Sequence, residues 1–201
     1  MLRTAVLVSG GGTNLQAILD AQAAGKIRST VISLVIASND KAYAITRAAN
    51  AGVPSLVLHK DKQEAEEAYG ERLLAALHEA KIDMVVLAGF LTILPANVVR
   101  AYDHRILNIH PSLIPSFCGK GFYGLRVHEA ALARGVKLTG ATVHFVNEIP
   151  DGGDIIRQKA VEVLPGDTPE VLQRRVMEQA EWIILPESIE LVASQLAGEG
   201  V

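Results

Sequence analysis

The chain has 201 residues, 49% hydrophobic and 20% charged, which allows one large domain or two small ones with a real core. Its formal net charge of −3 argues against a basic nucleic-acid or membrane surface, so any anionic ligand must be held by a local site. A single cysteine, Cys118, excludes an intramolecular disulfide and fits a reducing cytoplasm, and neither a signal peptide nor a membrane span is expected.

Residues 4–8 form a continuous apolar run, the pattern of a strand buried on both faces. Ser9, Gly10, Gly11 and Gly12 follow, and Thr13 with Gln16 has the form of a capping box opening a helix to about Ala24. Residues 31–37 and 55–58 read as the second and third strands, with a helix over 40–51 between them. A charged amphipathic helix over 62–80 buries Leu73, Leu74 and Leu77. Residues 84–87 are the fourth strand, and Pro95 opens a short helix at its first position.

Residues 106–109 form the fifth strand, the stretch that organises the rest. Asn108 and His110 are two apart, so their side chains leave the same face together with Ile106, while Leu107 and Ile109 point the other way. Pro111 ends the strand. Beyond a glycine- and proline-rich loop, helix returns over 125–134. Strands over 141–146 and 154–163, expected to be antiparallel, flank Pro150-Asp151-Gly152-Gly153. Thr168-Pro169-Glu170 caps a last helix with a break near Pro186. The alternation predicts an α/β fold with a doubly wound, mostly parallel sheet and an antiparallel addition in the C-terminal half. We read residues 1–201 as one domain of two halves, 1–107 with βα alternation and 108–201 departing from it.

The glycine turn is either an anion site, with backbone N–H groups at a helix N-terminus, or a tight turn without a ligand. It matches neither the dinucleotide fingerprint nor a P-loop. Of the six histidines, His110 stands out through Asn108 and its strand-end position, and His144, in an alternating strand, reads as structural or as a support. Asp151 is either an ordinary turn aspartate or a loop carboxylate that meets His110 and keeps it protonated near neutral pH. No nucleophile is specified beside the histidine, Cys118 reads as a bystander, and no metal-ligand spacing occurs. An amide, an imidazole and a carboxylate then suggest direct acyl transfer.

The stretches 9–14, 85–94, 107–115, 140–146 and 151–156 together resemble the folate-dependent formyltransferases, and the resemblance covers essentially the whole chain. The N-terminal glycine turn narrows it to the phosphoribosylglycinamide formyltransferase branch, with a Rossmann-like fold. The resemblance implies transfer of a formyl group from 10-formyltetrahydrofolate to the amine of glycinamide ribonucleotide in purine synthesis, without a metal. It implies that Gly12, Thr13 and Asn14 hold the ribonucleotide phosphate and that Glu181 contacts the ribose. It places backbone contacts to the folate ring at Leu91, Thr92, Ile93 and Leu94. Asn108 lies on the same side, and the loop from Val146 to Asp151 closes over the ring. Asn108, His110 and Asp151 match the catalytic trio.

The chain departs from the family at Thr92, where arginine is frequent, and at Glu66, where a basic residue is common. Lys60, Lys62 or Lys120 are substitutes for that basic residue. Residues 118–125 are longer than in many members. The partners expected are the two small molecules, with no nucleic acid and no membrane, and a homodimer stays open. Related formyl enzymes are expected to carry a further domain: N-terminal in formyltetrahydrofolate deformylase, C-terminal in methionyl-tRNA formyltransferase. A non-enzymatic nucleotide-binding module leaves Asn108, His110 and Asp151 unexplained.

Overall fold

The apolar runs join into one seven-stranded sheet of order β3-β2-β1-β4-β5-β6-β7, seen in a computed structural model that describes residues 1–198. Strands β1 (Leu2–Val8), β2 (Thr30–Ala37), β3 (Ser55–Val57), β4 (Met84–Leu87) and β5 (Ile106–His110) pair in parallel. β6 (Leu138–Phe145) and β7 (Ile155–Glu162) add antiparallel, as expected.

The strand faces divide the core. Val6, Val86, Leu107 and Ile109 pack under α1 (Thr13–Ala23), α2 (Ala44–Asn50), α5 (Leu125–Arg134), α6 (Pro169–Val176) and α7 (Trp182–Gly198). Ala5, Leu7, Val85 and Ile106 pack under α3 (Glu66–Glu79) and α4 (Ala96–Ala101). The strand order reverses direction between β1 and β4, and in such sheets ligands bind beyond the strands' carboxyl ends at that point. The glycine turn, the 88–94 segment and the end of β5 all lie there.

Several boundaries differ from expectation. There is no capping box at α1: Gly12 is the N-cap, in left-handed geometry with φ 71°, and Thr13 is already helical. The turn requires positive φ at that position, which moves the helix start past the residue that would have capped it. The Thr13 hydroxyl instead faces Met177 Sδ, and Gln16 bonds Asp20 and Arg47. α2 and α3 begin later than 40 and 62. Asn39 Oδ1 accepts from Lys41 N–H and Asp61 Oδ1 from Gln63 N–H, local turns that compete with helix. Pro95 is the N-cap of α4 rather than its first helical residue.

Thr168 caps α6, its Oγ1 accepting from Val171 N–H at 3.3 Å. The irregularity beyond it is not at Pro186, which lies buried inside α7. It is a π-helical turn over Met177–Glu181, one wide turn between α6 and α7 ahead of the proline. β6 begins earlier than 141 because Gly140, bearing no Cβ, lets the Lys159 carbonyl of β7 approach. No helix among the described residues is long and apolar enough to cross a membrane.

Candidate active site

β5 delivers Asn108 and His110 on one face, and pairing with β6 sets His144 directly opposite Asn108. Asn108 Nδ2 lies 3.1 Å from His144 Nε2. His144 Nδ1 is 2.7 Å from the Phe145 carbonyl, which only accepts, so Nδ1 carries a proton and Nε2 faces the Asn108 amide and Asp151. Asp151 comes from the loop between β6 and β7 with left-handed backbone, φ 55°, and its side chain is only 14% exposed. One of its oxygens is 3.5 Å from Asn108 Nδ2 and 3.6 Å from His144 Nε2. The other is 3.6 Å from His110 Nδ1 and accepts from Gly119 N–H at 2.8 Å. The carboxylate is the hub of the cluster.

Burial sets the protonation states. It lowers the His110 pKa below its ordinary value of 6.5, and the opposing pull of Asp151 and of the Phe117 carbonyl does not compensate. The imidazole is therefore neutral at rest near pH 7, contrary to the expectation that Asp151 keeps it charged. Burial also works to raise the Asp151 carboxyl, but His144, His110 and the Gly119 N–H outweigh it and hold the group below the usual carboxylate range. Cys118 donates to the Pro115 carbonyl at 3.3 Å. Burial, then the Asp151 charge, push its thiol pKa up, so it is not a thiolate at neutral pH.

Beside the cluster lies a cavity of about 140 Å³ between Leu91–Leu94, Asn108, His144 and the Val146–Asp151 loop. Its rim is apolar, with Leu91 63%, Ile93 69% and Ile149 67% exposed. An apolar cavity with a few polar side chains, Asn108, His144 and Asp151 among them, suits a small, largely apolar ring bearing hydrogen-bonding groups.

At the glycine turn, α2 holds two carbonyls: Ala44 N–H donates to Gly10 O at 3.2 Å and Arg47 Nε to Gly11 O at 2.8 Å. In a trans peptide the N–H points opposite to the C=O, so the Gly11 and Gly12 N–H groups face away from α2, the arrangement of an anion nest. Asn14 donates through Nδ2 to Glu181 Oε2 at 2.6 Å, and its buried Oδ1 has no partner. Burial pushes the Glu181 carboxyl up to about 7, with Asn14 pulling only partly the other way. A larger cavity of about 520 Å³ between α1 and α7 reaches Thr13 and Arg47 but shares no lining residue with the Asn108–His110–Asp151 cluster.

A family profile described as formyl transferase matches residues 2–189. The chain belongs to the formyl transferase family. A chloroplastic phosphoribosylglycinamide formyltransferase from Arabidopsis thaliana is 42% identical over 88% of this chain and 61% of its own length. The Escherichia coli K12 phosphoribosylglycinamide formyltransferase is 40% identical over 87% of this chain and 79% of its own. The chain thus spans less than two thirds of the plant relative. The crystal structure of glycinamide ribonucleotide transformylase 1 from Symbiobacterium toebii superposes with a TM-score of 0.90 at 42% identity, covering 97% of this chain and 89% of that one.

Of the site residues expected from sequence, the fold gathers Asn108, His110 and Asp151 into one cluster, with Val146 and Leu91–Leu94 lining its cavity. Gly12, Thr13, Asn14 and Glu181 form a second centre, joined by the Asn14–Glu181 bond. Sequence reasoning misses Arg47, the Phe117 carbonyl and the Gly119 N–H, and gives His144 no more than a supporting role. Backbone groups carry no sequence signal, and pairing His144 with Asn108 needs the β5–β6 register. Lys60, a candidate for the basic role that Glu66 cannot fill, is paired with Glu66 itself at 3.4 Å.

Proposed function

We propose that the chain transfers a formyl group from 10-formyltetrahydrofolate to the amine of glycinamide ribonucleotide, giving formylglycinamide ribonucleotide and tetrahydrofolate. The observation that carries this is the buried Asp151 carboxylate in reach of Asn108, His110 and His144 beside an apolar cavity. The kinship with phosphoribosylglycinamide formyltransferases supports the substrate pair. The folate ring occupies the 140 Å³ cavity against the backbone of Leu91, Thr92, Ile93 and Leu94, under the Val146–Asp151 loop. The phosphate sits on Gly12, Thr13 and Asn14, and Glu181 meets the ribose. The two halves, 1–107 and 108–201, act as one formyltransferase domain, and the lone cysteine suits a reducing cytoplasm.

The amine nitrogen bonds to the formyl carbon and the carbonyl pair moves to oxygen. Asn108 donates an amide N–H to that oxygen, and its 3.5 Å contact to Asp151 is the weaker of its two bonds and the one given up. Neutral His110 takes the proton lost by the amine, and Asp151 stabilises the imidazolium. Collapse restores the C=O, breaks the bond to the folate nitrogen and returns the proton to that nitrogen.

The test follows the absorbance change from 10-formyltetrahydrofolate to tetrahydrofolate, with and without glycinamide ribonucleotide. Turnover that requires the ribonucleotide is expected. Turnover without it indicates that water is the acceptor and makes the chain a hydrolase, and no turnover in either case overturns the enzymatic reading.

A further inference from the structure

The segment after β5 is braced before it reaches the site. The Ser112 hydroxyl donates to Ser116 O at 2.5 Å, Ile114 N–H to Thr142 Oγ1 at 3.1 Å, and Gln158 Nε2 to Ile114 O at 3.0 Å. Phe117 follows with φ 51°, left-handed geometry that a bulky residue adopts only when its surroundings impose it. Its half-buried ring packs against the core on the α1, α5 and α7 side of the sheet and meets Phe122 edge-on, with centroids 6.4 Å apart. The backbone here is therefore anchored on both sides. It uses that anchorage twice: Phe117 O lies 2.9 Å from His110 Nε2, and Gly119 N–H holds the Asp151 carboxylate at 2.8 Å.

We infer that Phe117 is a positioning residue: its carbonyl selects the Nε2–H tautomer of His110 and so makes Nδ1 the atom that exchanges the proton in formyl transfer. This rests on the reading of His110 as the proton-transfer group. A carbonyl oxygen has only lone pairs, so Nε2 at 2.9 Å must present a hydrogen. The competing tautomer places its hydrogen on Nδ1, where Asp151 is 3.6 Å away, too far for a full hydrogen bond, and sets the Nε2 lone pair against Phe117 O. Distance decides for Nε2–H. At rest Nδ1 then carries a lone pair next to a carboxylate, a contact that turns favourable when Nδ1 receives the amine's proton. The same Nδ1–H is later delivered to the folate nitrogen, so the proton count closes with both the imidazole and Asp151 restored. The titratable groups around His110 are Asp151, His144 and His128.

Nitrogen-15 NMR of the imidazoles in the full-length protein, above the titration of His110, reads the tautomer directly. The expected spectrum shows a protonated Nε2 and a bare Nδ1. In Phe117→Ala the tautomers mix and kcat falls at least about tenfold, with KM for both substrates within about threefold. Phe117→Leu, which restores an apolar anchor, recovers the tautomer and most of the turnover. A protonated Nδ1 in the wild type overturns the inference, as does Phe117→Ala with unchanged tautomer and turnover. If Phe117→Ala does not fold, the wild-type spectrum and Phe117→Leu still decide. A normal Nε2–H signal together with an active His110→Ala variant defeats the catalytic reading and leaves the tautomer assignment standing.

Discussion

His110, His128 and Glu181 are buried ionisable groups, and burial moves them in opposite senses. With His110 as the proposed proton acceptor, activity should be lost on the acid side as pH falls through its lowered pKa, and kcat/KM against pH reads that limb. We expect His110→Ala, Asn108→Ala and Asp151→Ala each to lower kcat by about 10² or more while both substrates still bind, from the usual worth of a proton-transfer group or an oxyanion donor. The losses should not add in double variants, because the groups serve one transition state. His110→Ala keeping more than about a tenth of wild-type turnover would defeat the mechanism, that factor being about 1.4 kcal/mol of barrier.

Glu181 is raised from 4.5 to about 7, so its neutral carboxyl favours the folded state fully below pH 4.5. That stability is lost as pH rises through 7, up to ~3 kcal/mol for a shift of this size. His128, buried with neither ring nitrogen bonded, is lowered from 6.5 to about 4 by burial and secondarily by His110, and acts oppositely. Its contribution is present above 6.5 and lost as pH falls towards 4. Between pH 5 and pH 8 the two contributions oppose each other, so in urea unfolding Glu181→Gln should become more stable with rising pH than the wild type does, with the acid-side loss left in place.

At the scale of elements, the glycine turn and α1 act as a unit held by α2. A Cβ on Gly12 would come within 2.7 Å of the Ala44 Cβ and would sit on a residue with φ 71°. Gly12→Val therefore strains the turn, pushes α2 aside and crowds the N–H groups proposed to hold the phosphate. We expect KM for the ribonucleotide to rise at least about tenfold, with KM for the folate changed by less than about threefold. Steady-state kinetics varying each substrate in turn checks this, and equal effects would detach the phosphate from the turn. The π-helical turn Met177–Glu181 belongs to the same unit, since it turns Glu181 inward onto Asn14.

For the whole molecule, one sheet carries both cores and both centres. Leu107 is fully buried in β5, between Asn108 and Ile106, and packs in the core under α5, α6 and α7. Leu107→Ala should destabilise the protein by about 2–5 kcal/mol through lost burial and a residual cavity. Because β1, β4 and β5 adjoin in the middle of the sheet, unfolding followed by far-UV and near-UV circular dichroism should coincide in one transition. Separate transitions for the two halves would show that the sheet does not couple them.

Local rules determined what depends on periodicity and steric demand. The buried runs of β1, β4 and β5, the helix of α5, the strand end at Pro111 and the shared face of Asn108 and His110 follow from side-chain alternation and from residues that forbid or impose a backbone angle. The glycines after β1 likewise announce a turn, although not that Gly12 itself takes the N-cap and leaves Thr13 uncapped. Tertiary structure decided what depends on register and burial. His144 meets Asn108 only because β6 pairs with β5 at one register, and Arg47 reaches Gly11 only because α2 packs against the turn. The charge of His110 is beyond sequence reasoning because a neighbouring carboxylate is visible in a sequence pattern, whereas the desolvation that outweighs it exists only once the site is enclosed.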